Sequence, residues 1–314
     1  MSKRKPKIAV IGGGNGVSSV LSGLKKYPVD LSAIVTMADN GGSTGILRKE
    51  LKVLPAGDIR RALAVLAKEN ILGNIFNNRF ERGFLKGHAL GNIVLASLEI
   101  RSGNFYQAVE EAEKLLKVSG RVYPSTLADI HLFAELENGI IIKGETDIDI
   151  PKHDSRLKIK RVFLNRKAEI FPQAREFLLR ADLIVIGPGD IYTSVVPNFL
   201  VSGMKSVLKN THAKKIYIAN PVTKLGESHS FKLSDFLSVI EKYGGEGMLD
   251  YVIANTGRIS AQTARRLKKK GLETVKIDRF YPKPSFILKN LLDSAKEEIR
   301  YDPLILADAI ISLL

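Results

Sequence analysis

The chain has 314 residues, of which 45% are hydrophobic and 26% charged, a composition typical of a globular protein. It contains no run of about 18 apolar residues, so no membrane span is expected. The basic segment Met1–Lys7 lacks the apolar stretch of a signal peptide, which favours a cytoplasmic location. The absence of cysteine excludes disulfides, thiolate metal ligands and cysteine nucleophiles. The net charge of +15 favours anionic partners. Nucleic acid is not expected among them, since no basic run is interleaved with base-stacking aromatic residues.

The predicted elements alternate between short apolar strands and amphipathic helices. The apolar runs typical of buried parallel strands are Ile8–Ile11, Leu31–Thr36, Leu183–Ile186, Ile216–Ala219, Tyr251–Ala254 and Val275–Ile277. Most of these runs are followed by a helical pattern. This alternation predicts an α/β fold with a doubly wound, mostly parallel, Rossmann-like sheet, built as one domain over residues 1–314.

The region 120–170 has a different pattern and predicts a small antiparallel insertion within that domain. Its strand-like runs are Ile130–Leu136, Ile140–Lys143 and Leu157–Leu164. Asn138-Gly139 separates the first two, and this dipeptide between strand patterns is a strong hairpin signal. Helix N-caps are expected at Asp58, Asn104, Ser260 and Asp302.

The first predicted strand ends in a glycine-rich loop made of Gly12, Gly13, Gly14, Asn15 and Gly16. Such a loop lets a ligand approach backbone amides, and the following helix N-terminus attracts negative charge. The dinucleotide fingerprint G-x-G-x-x-G is broken at Val17, which disfavours a Rossmann dehydrogenase. The loop therefore predicts phosphate binding, with a tight turn that holds no ligand as the alternative.

A second glycine-rich loop follows the second strand. Asp39 stands there where a Rossmann acid meets a ribose. The next residues offer amides and hydroxyls to a phosphate: Asn40, Gly41, Gly42, Ser43 and Thr44. Asp39 would hold a metal ion or a ligand hydroxyl. The alternative is a hydrogen-bonded turn made by the two side chains Asp39 and Asn40.

Two further segments carry candidate site residues before the insertion. Asp58 either caps its helix or serves the ligand. Arg60 and Arg61 lie in the first turn of that helix, where the dipole disfavours cations, so a nearby anion would explain them. In the segment GHALGN, Asn92 is a candidate ligand contact. His88 is either a catalytic base or a structural residue.

The strand ends after residue 183 complete a polar rim. The candidates in the loop that follows the predicted strand Leu183–Ile186 are Gly187, Pro188, Gly189, Asp190, Tyr192, Thr193, Ser194 and Asn198. Asn220, Lys224 and Asn255 lie at or just after the next two strand ends. Because carboxyl ends of parallel strands meet at one edge, we expect these residues to surround one ligand. A purely structural turn is the alternative for the loop that follows Leu183–Ile186.

The ordered motifs GGGNG, DNGGSTG, PAGDIR, GHALGN, GPGDIYTS with PNFL, and NPVTKLGES resemble the YvcK-like gluconeogenesis factor family, UPF0052. That family lies in the superfamily of the archaeal 2-phospho-L-lactate transferase CofD. The resemblance runs from about residue 7 to residue 256. It departs from the usual pattern at Asn15 (usually Thr), Asn40 (usually Asp), Ala56 (usually Pro) and Lys224 (usually Gln).

The resemblance implies a cytoplasmic protein that binds nucleotide sugars such as UDP-N-acetylglucosamine. Such proteins support growth and cell shape on gluconeogenic carbon sources. It implies, as the alternative, a metal-dependent transferase that moves a phospholactyl group from a nucleotide diphosphate conjugate to a hydroxyl acceptor. Asp39 would then bind Mg²⁺, with His88 or Asp190 as the base. Loss of the second carboxylate at Asn40 weakens that metal site. A homodimer is one assembly that the sequence allows.

Overall fold

The computed structural model describes residues 4–293 and 299–314, so the first three residues of the basic N-terminal segment lie outside it. The strands in the described chain are β1 (Lys7–Gly12), β2 (Asp30–Val35), β3 (Arg121–Pro124), β4 (Leu132–Leu136), β5 (Ile141–Lys143), β6 (Ile159–Leu164), β7 (Leu183–Ile186), β8 (Lys214–Ile218), β9 (Val222–Lys224), β10 (Tyr251–Asn255), β11 (Leu272–Thr274) and β12 (Ser285–Lys289).

The helices in the same ranges are α1 (Gly14–Leu24), α2 (Gly42–Leu51), α3 (Gly57–Leu66), α4 (Asn70–Asn77), α5 (Leu90–Ser102), α6 (Phe105–Leu116), α7 (Glu145–Asp149), α8 (Pro172–Leu179), α9 (Val196–Phe199), α10 (Met204–Asn210), α11 (Leu233–Gly244), α12 (Ala261–Lys269) and α13 (Pro303–Ile311). A single π-helical turn, Ile191–Val195, precedes α9. Among the described helices, none has the length and apolar character needed to cross a bilayer.

The central sheet of the described chain has seven parallel strands in the order β12-β10-β8-β7-β1-β2-β3. The chain builds outward from β1 to β3, then returns to the other side of β1 and builds outward again from β7. This order confirms the predicted doubly wound α/β fold. The switch point lies between the neighbouring strands β1 and β7, and the carboxyl edge at such a point is where ligands bind in open α/β sheets.

The central strands are apolar because both faces of the sheet are covered. Ile8, Val10 and Ile11 of β1 are fully buried, as are Ile184 and Ile186 of β7. Such continuous apolar runs are typical of parallel strands packed between helices. The rigid centre of the sheet therefore fixes the positions of the polar loops at its carboxyl edge.

The predicted strand Val275–Ile277 is wrong. The chain there is extended but belongs to no strand, and β12 (Ser285–Lys289) pairs with β10 at this edge of the sheet. Val275 instead donates its backbone N–H to the carbonyl of Pro221, and the amide of Leu233 donates to Lys276. Hydrogen bonds to neighbouring loops therefore satisfy these backbone groups in place of strand pairing. The edge strand β12 is half-exposed, so its sequence is not strongly apolar.

A three-stranded antiparallel sheet stands apart from the central one. β4 pairs with β5 and with β6, and α7 follows β5. These elements lie within the range 120–170. The first strand of that range, β3, pairs in parallel with β2 and so belongs to the central sheet.

Three of the four predicted helix N-caps are confirmed. Asn104, Ser260 and Asp302 each accept hydrogen bonds from backbone amides at the start of α6, α12 and α13. The N-cap predicted at Asp58 is wrong, because α3 begins at Gly57, two residues earlier than that N-cap requires, and its N-cap is Ala56. Asp58 lies in the first turn instead, where its carboxylate pairs with Arg61 of the same helix.

Candidate functional site

A cleft of about 530 Å³ opens at the carboxyl edge of the sheet, beside the switch point. The loops after β1, β2 and β7 line it together. The predicted residues on its wall are Gly13, Gly14, Asn15, Gly16, Asp39, Gly41, Gly42, Ser43, Thr44, Asp58, Arg60, Asn92, Gly189, Asp190, Thr193 and Ser194. The expected convergence of three glycine loops on one crevice is therefore present.

Helices α1, α2, α3 and α5 begin at this cleft, as does the five-residue helix α7. The N-caps of the first four are Gly13, Gly41, Ala56 and Ala89, and none of these four described residues has a side chain that caps the helix. The first amides of each helix thus depend on other partners. Converging helix N-termini give the cleft a partial positive charge that favours a phosphate.

Glycine is required where the first loop meets its neighbours. A Cβ atom at Gly13 would lie 2.5 Å from Asp58 Oδ2, and one at Gly16 would lie 2.0 Å from the carbonyl oxygen of Pro188. The loop after β1 therefore packs directly against α3 on one side and against the loop after β7 on the other. This close approach holds the two sides of the switch-point crevice together.

One wall of the cleft is cationic and is formed by Arg60, Arg61 and Arg79. Arg60 is only 4% exposed, and burial together with the charges of Arg61 and Arg79 lowers its pKa to about 10. Its guanidinium donates to Asn77 Oδ1, but its Nε has no hydrogen-bond partner among the described residues. A buried donor without a partner is costly, so this group is suited to an incoming anion.

Hydroxyl and amide groups extend the cationic wall. Asn92 Nδ2 donates to Ser43 Oγ at 3.1 Å, and His88 Nδ1 lies 3.2 Å from the same hydroxyl. The Oδ1 atom of Asn92 is buried and lacks a partner within the described chain. His88 thus contacts the site through Ser43 rather than lining the cleft itself.

Carboxylates line the same cleft beside these arginines. Asp39 Oδ1 accepts from the amide of Gly41 at 2.8 Å, and Asp58 Oδ1 pairs with Arg61 at 2.5 Å. Burial raises the pKa of Asp58, and the charge of Asp39 raises it further, although Arg61 and the amide of Gly14 favour the ionised form. Two carboxylates thus face the same space at the start of the glycine loops.

Helix α7, which follows strand β5 of the antiparallel sheet, also lines the cleft. Asn40 Oδ1 accepts from the amide of Thr146 at 2.9 Å and from its hydroxyl at 3.0 Å, which anchors α7 to the loop after β2. Glu145 and Asp149 then face the cleft. Burial and the charges of Asp39 and Asp149 raise the pKa of Glu145 to about 8.

The remaining predicted residues lie around the cleft rather than on its wall. Pro188, Asn220 and Lys224 line an adjoining cavity of about 210 Å³ that shares Asn15, Gly16, Gly189 and Asp190 with the main cleft. Asn255 lines a further cavity of about 330 Å³, and its Oδ1 accepts from the amides of Gly257 and Leu291.

Four predicted ligand contacts support the loops from behind. Asn198 Nδ2 donates to the carbonyls of Ser194 and Val195, and the amide of Tyr192 donates to Glu227 at 2.6 Å. Gly12 and Gly187 have φ angles of 154° and 72°, which let the chain turn at the ends of β1 and β7. These residues shape the rim of the crevice.

Sequence reasoning missed Glu145, Asp149, Arg79 and Glu227. Glu227 is part of the segment NPVTKLGES, which was singled out, so its motif offered a signal. The segment that contains Glu145 and Asp149 follows an antiparallel strand, and Arg79 lies in a loop after α4. Neither position follows a strand of the central sheet, so the strand-end argument does not reach them.

The chain matches the family model described as 2-phospho-L-lactate transferase CofD over residues 8–290. It belongs to the CofD family. Similar relatives are named gluconeogenesis factor. That of Bacillus subtilis is 41% identical over 278 residues, which cover 88% of this chain and 86% of the relative. That of Halalkalibacterium halodurans is 42% identical over 278 residues, covering 88% and 85%.

The fold of this CofD-family chain is also that of a solved relative. A crystal structure of a UPF0052 family member from Bacillus halodurans superimposes with a TM-score of 0.93 at 37% sequence identity, covering 99% of this chain and 100% of that one. The family that the ordered sequence motifs indicated is therefore confirmed, and so is the Rossmann-like fold.

The donor set at the mouth of the cleft fits the divalent cation that the CofD family implies. Asp39 and Asp58 offer hard oxygen ligands, and their mutual repulsion would be relieved by a cation. A Cβ atom at Gly57 would lie 2.3 Å from Asp39 Oδ2, so only glycine leaves room for this carboxylate. Asn40, in contrast, is turned toward Thr146 and is engaged there.

Proposed function

We propose that this CofD-family protein is a nucleotide-sugar-binding regulator whose ligand is of the UDP-N-acetylglucosamine class. The observation that carries the proposal is the convergence of four helix N-termini without side-chain caps on a cleft that contains the buried Arg60. The diphosphate would lie against these amides and Arg60. The carboxylates that line the same cleft would accept hydrogen bonds from sugar or ribose hydroxyls.

The cellular role is proposed with the ligand. The names of the relatives support a function as a gluconeogenesis factor. We propose that the protein acts in the cytoplasm and supports cell shape and growth on gluconeogenic carbon sources.

Thermal unfolding with nucleotide sugars tests the ligand. A ligand present at about 100 times its dissociation constant adds about 2.7 kcal/mol to the free energy of unfolding of the protein that binds it. UDP-N-acetylglucosamine should therefore raise the melting temperature, while uridine, which lacks the diphosphate, should not. The absence of any shift with millimolar UDP-sugars would refute the proposal.

A second function, supported by the CofD family match, is a metal-dependent phosphotransfer. Asp39 and Asp58 would hold the divalent cation, which would neutralise the diphosphate oxygens when bound. The amides of the glycine loops would stabilise the charge that develops on the phosphoryl group. Asp190, which lines the cleft, would accept the proton of the attacking hydroxyl, whereas His88 would act through Ser43.

Release of nucleoside monophosphate from a nucleotide diphosphate conjugate, in the presence of Mg²⁺ and a hydroxyl acceptor, tests this second function. The reaction should stop in the Asp39→Asn variant, because a carboxamide binds a divalent cation more weakly than a carboxylate. Turnover that is unchanged in this variant, or that proceeds with a chelator, would contradict the assignment of Asp39.

A further inference from the structure

Three carboxylates from separate segments meet beside the cleft. Asp149 comes from α7, Asp190 from the loop after β7, and Glu227 from the turn after β9. One oxygen atom from each lies within 4.8 Å of the others. We call these three residues the acidic triad. Two of its members, Asp149 and Asp190, also line the main cleft.

The ammonium group of Lys224 lies in contact with the acidic triad. It donates to Asp149 Oδ1, and it lies 3.1 Å from Asp190 Oδ2. Burial alone would lower the pKa of Lys224, but the charges of Asp190 and Asp149 outweigh it and raise that pKa above its usual value. Lys224 is therefore a fixed cation within the cluster.

One carboxylate oxygen of Glu227, in the acidic triad, accepts no hydrogen bond from the described residues. Glu227 is 3% exposed, and its Oε1 accepts from the amides of Tyr192 at 2.6 Å and Thr193 at 3.1 Å. Its Oε2 is buried and has no hydrogen-bond partner within residues 4–293 and 299–314. A buried carboxylate oxygen without a donor is satisfied either by a proton or by a cation, and burial raises the pKa of Glu227.

We propose that the Lys224 ammonium is the resident cation of the acidic triad and occupies the place of a divalent metal ion. Three carboxylates at this spacing are a ligand set that hard divalent cations prefer. A tethered ammonium supplies one positive charge there without any metal. The triad is thus a latent metal site, and an uncharged side chain at position 224 opens it. This inference goes beyond the proposed ligand and concerns how the charge of the cleft is set.

Mn²⁺ binding without nucleotide, followed by electron paramagnetic resonance, tests the inference. The Lys224→Met variant should bind one more Mn²⁺ per chain than the wild type, because the wild type should bind no Mn²⁺ at the acidic triad. Lys224→Gln should behave in the same way and serves if the methionine variant unfolds. The matched control is Lys215→Met, since Lys215 is a partly buried lysine near the single carboxylate of Asp250, and it should gain no ion.

Adding Glu227→Gln shows where the extra ion binds. In the Lys224→Met background it should abolish the additional Mn²⁺ while leaving any ion at Asp39 and Asp58 in place. Glutamine keeps an oxygen that can accept from Tyr192 and Thr193, which preserves the loop. Equal Mn²⁺ binding by folded Lys224 variants and wild type would overturn the inference. So would wild-type binding that Glu227→Gln removes, a result that needs no Lys224 variant.

The nucleotide experiment remains separate. If UDP-N-acetylglucosamine fails to bind any variant while Lys224→Met gains Mn²⁺, the proposed ligand is wrong and the latent metal site stands. If UDP-N-acetylglucosamine binds the wild type and the Lys224 variants gain no Mn²⁺, the latent site is wrong and the ligand stands.

Discussion

At the scale of single residues, Arg60 is the side chain that ties the cleft to an anionic ligand. It is almost wholly buried, it lines the cleft, and its Nε lacks a partner among the described residues. Its position in α3 is unfavourable for a cation in an isolated helix, because the N-terminal end of the dipole is positive. A bound diphosphate would compensate both the helix dipole and the unpaired donor.

The Arg60→Met variant should bind UDP-N-acetylglucosamine roughly ten- to a hundredfold more weakly. A charge-assisted hydrogen bond contributes about 1.5–3 kcal/mol, and methionine retains most of the apolar stem. Calorimetric titration measures the loss. Arg101→Met is the control, because Arg101 is an exposed arginine in the last turn of α5, at the end of that helix away from the cleft. Unchanged affinity in a folded Arg60→Met protein would contradict the role of Arg60.

At the scale of elements, the start of α3 is positioned by α5. Both carboxylate oxygens of Glu99 on α5 accept from the backbone amide of Leu54, at 3.1 and 3.2 Å. Leu54 directly precedes the segment Pro55–Asp58, which delivers Asp58 to the cleft. Burial raises the pKa of Glu99 from 4.5 to about 7, although the Leu54 amide works against this shift.

The stability of the protein should therefore depend on Glu99 between about pH 4.5 and 7. In this window the folded chain keeps a proton that the unfolded chain releases, so the free energy of unfolding falls as pH rises. Glu99→Gln cannot ionise, and its stability relative to the wild type should increase from pH 5 to pH 8. Urea denaturation at both values measures this, with Glu50→Gln on the exposed face of α2 as the control. A parallel pH response of Glu99→Gln and wild type would disprove the role of Glu99.

At the scale of the whole molecule, the sheet order explains why distant segments form one site. The strands on both sides of the switch point run in the same direction, so their carboxyl ends share one edge. The net charge of +15 attracts anions generally, whereas the cleft itself is lined by both arginines and carboxylates. The proposed ligand has both characters, since a nucleotide sugar carries a diphosphate and several hydroxyls.

Prediction from sequence succeeded where one strand and its own loop carry the information. The buried runs of β1, β2, β7, β8 and β10 and their polar ends were recognisable because parallel strands read as continuous apolar stretches. It failed at Val275–Ile277, where Val275 and Ile277 are half-buried but belong to no strand, and at β12, a half-exposed edge strand whose sequence is not strongly apolar. Local hydrophobicity reports burial, and burial alone does not specify pairing.

The sequence by itself determined the α/β class, the glycine loops and the family, because these depend on residue type and order along the chain. Only the tertiary structure decided that α7 of the antiparallel sheet brings Glu145 and Asp149 to the cleft, and that Lys224 pairs with Asp149, 75 residues away. Such contacts join segments whose separation is set by packing and by side-chain hydrogen bonds such as that of Asn40 with Thr146. No periodicity or local propensity encodes them, since they exist only once the chain has closed on itself.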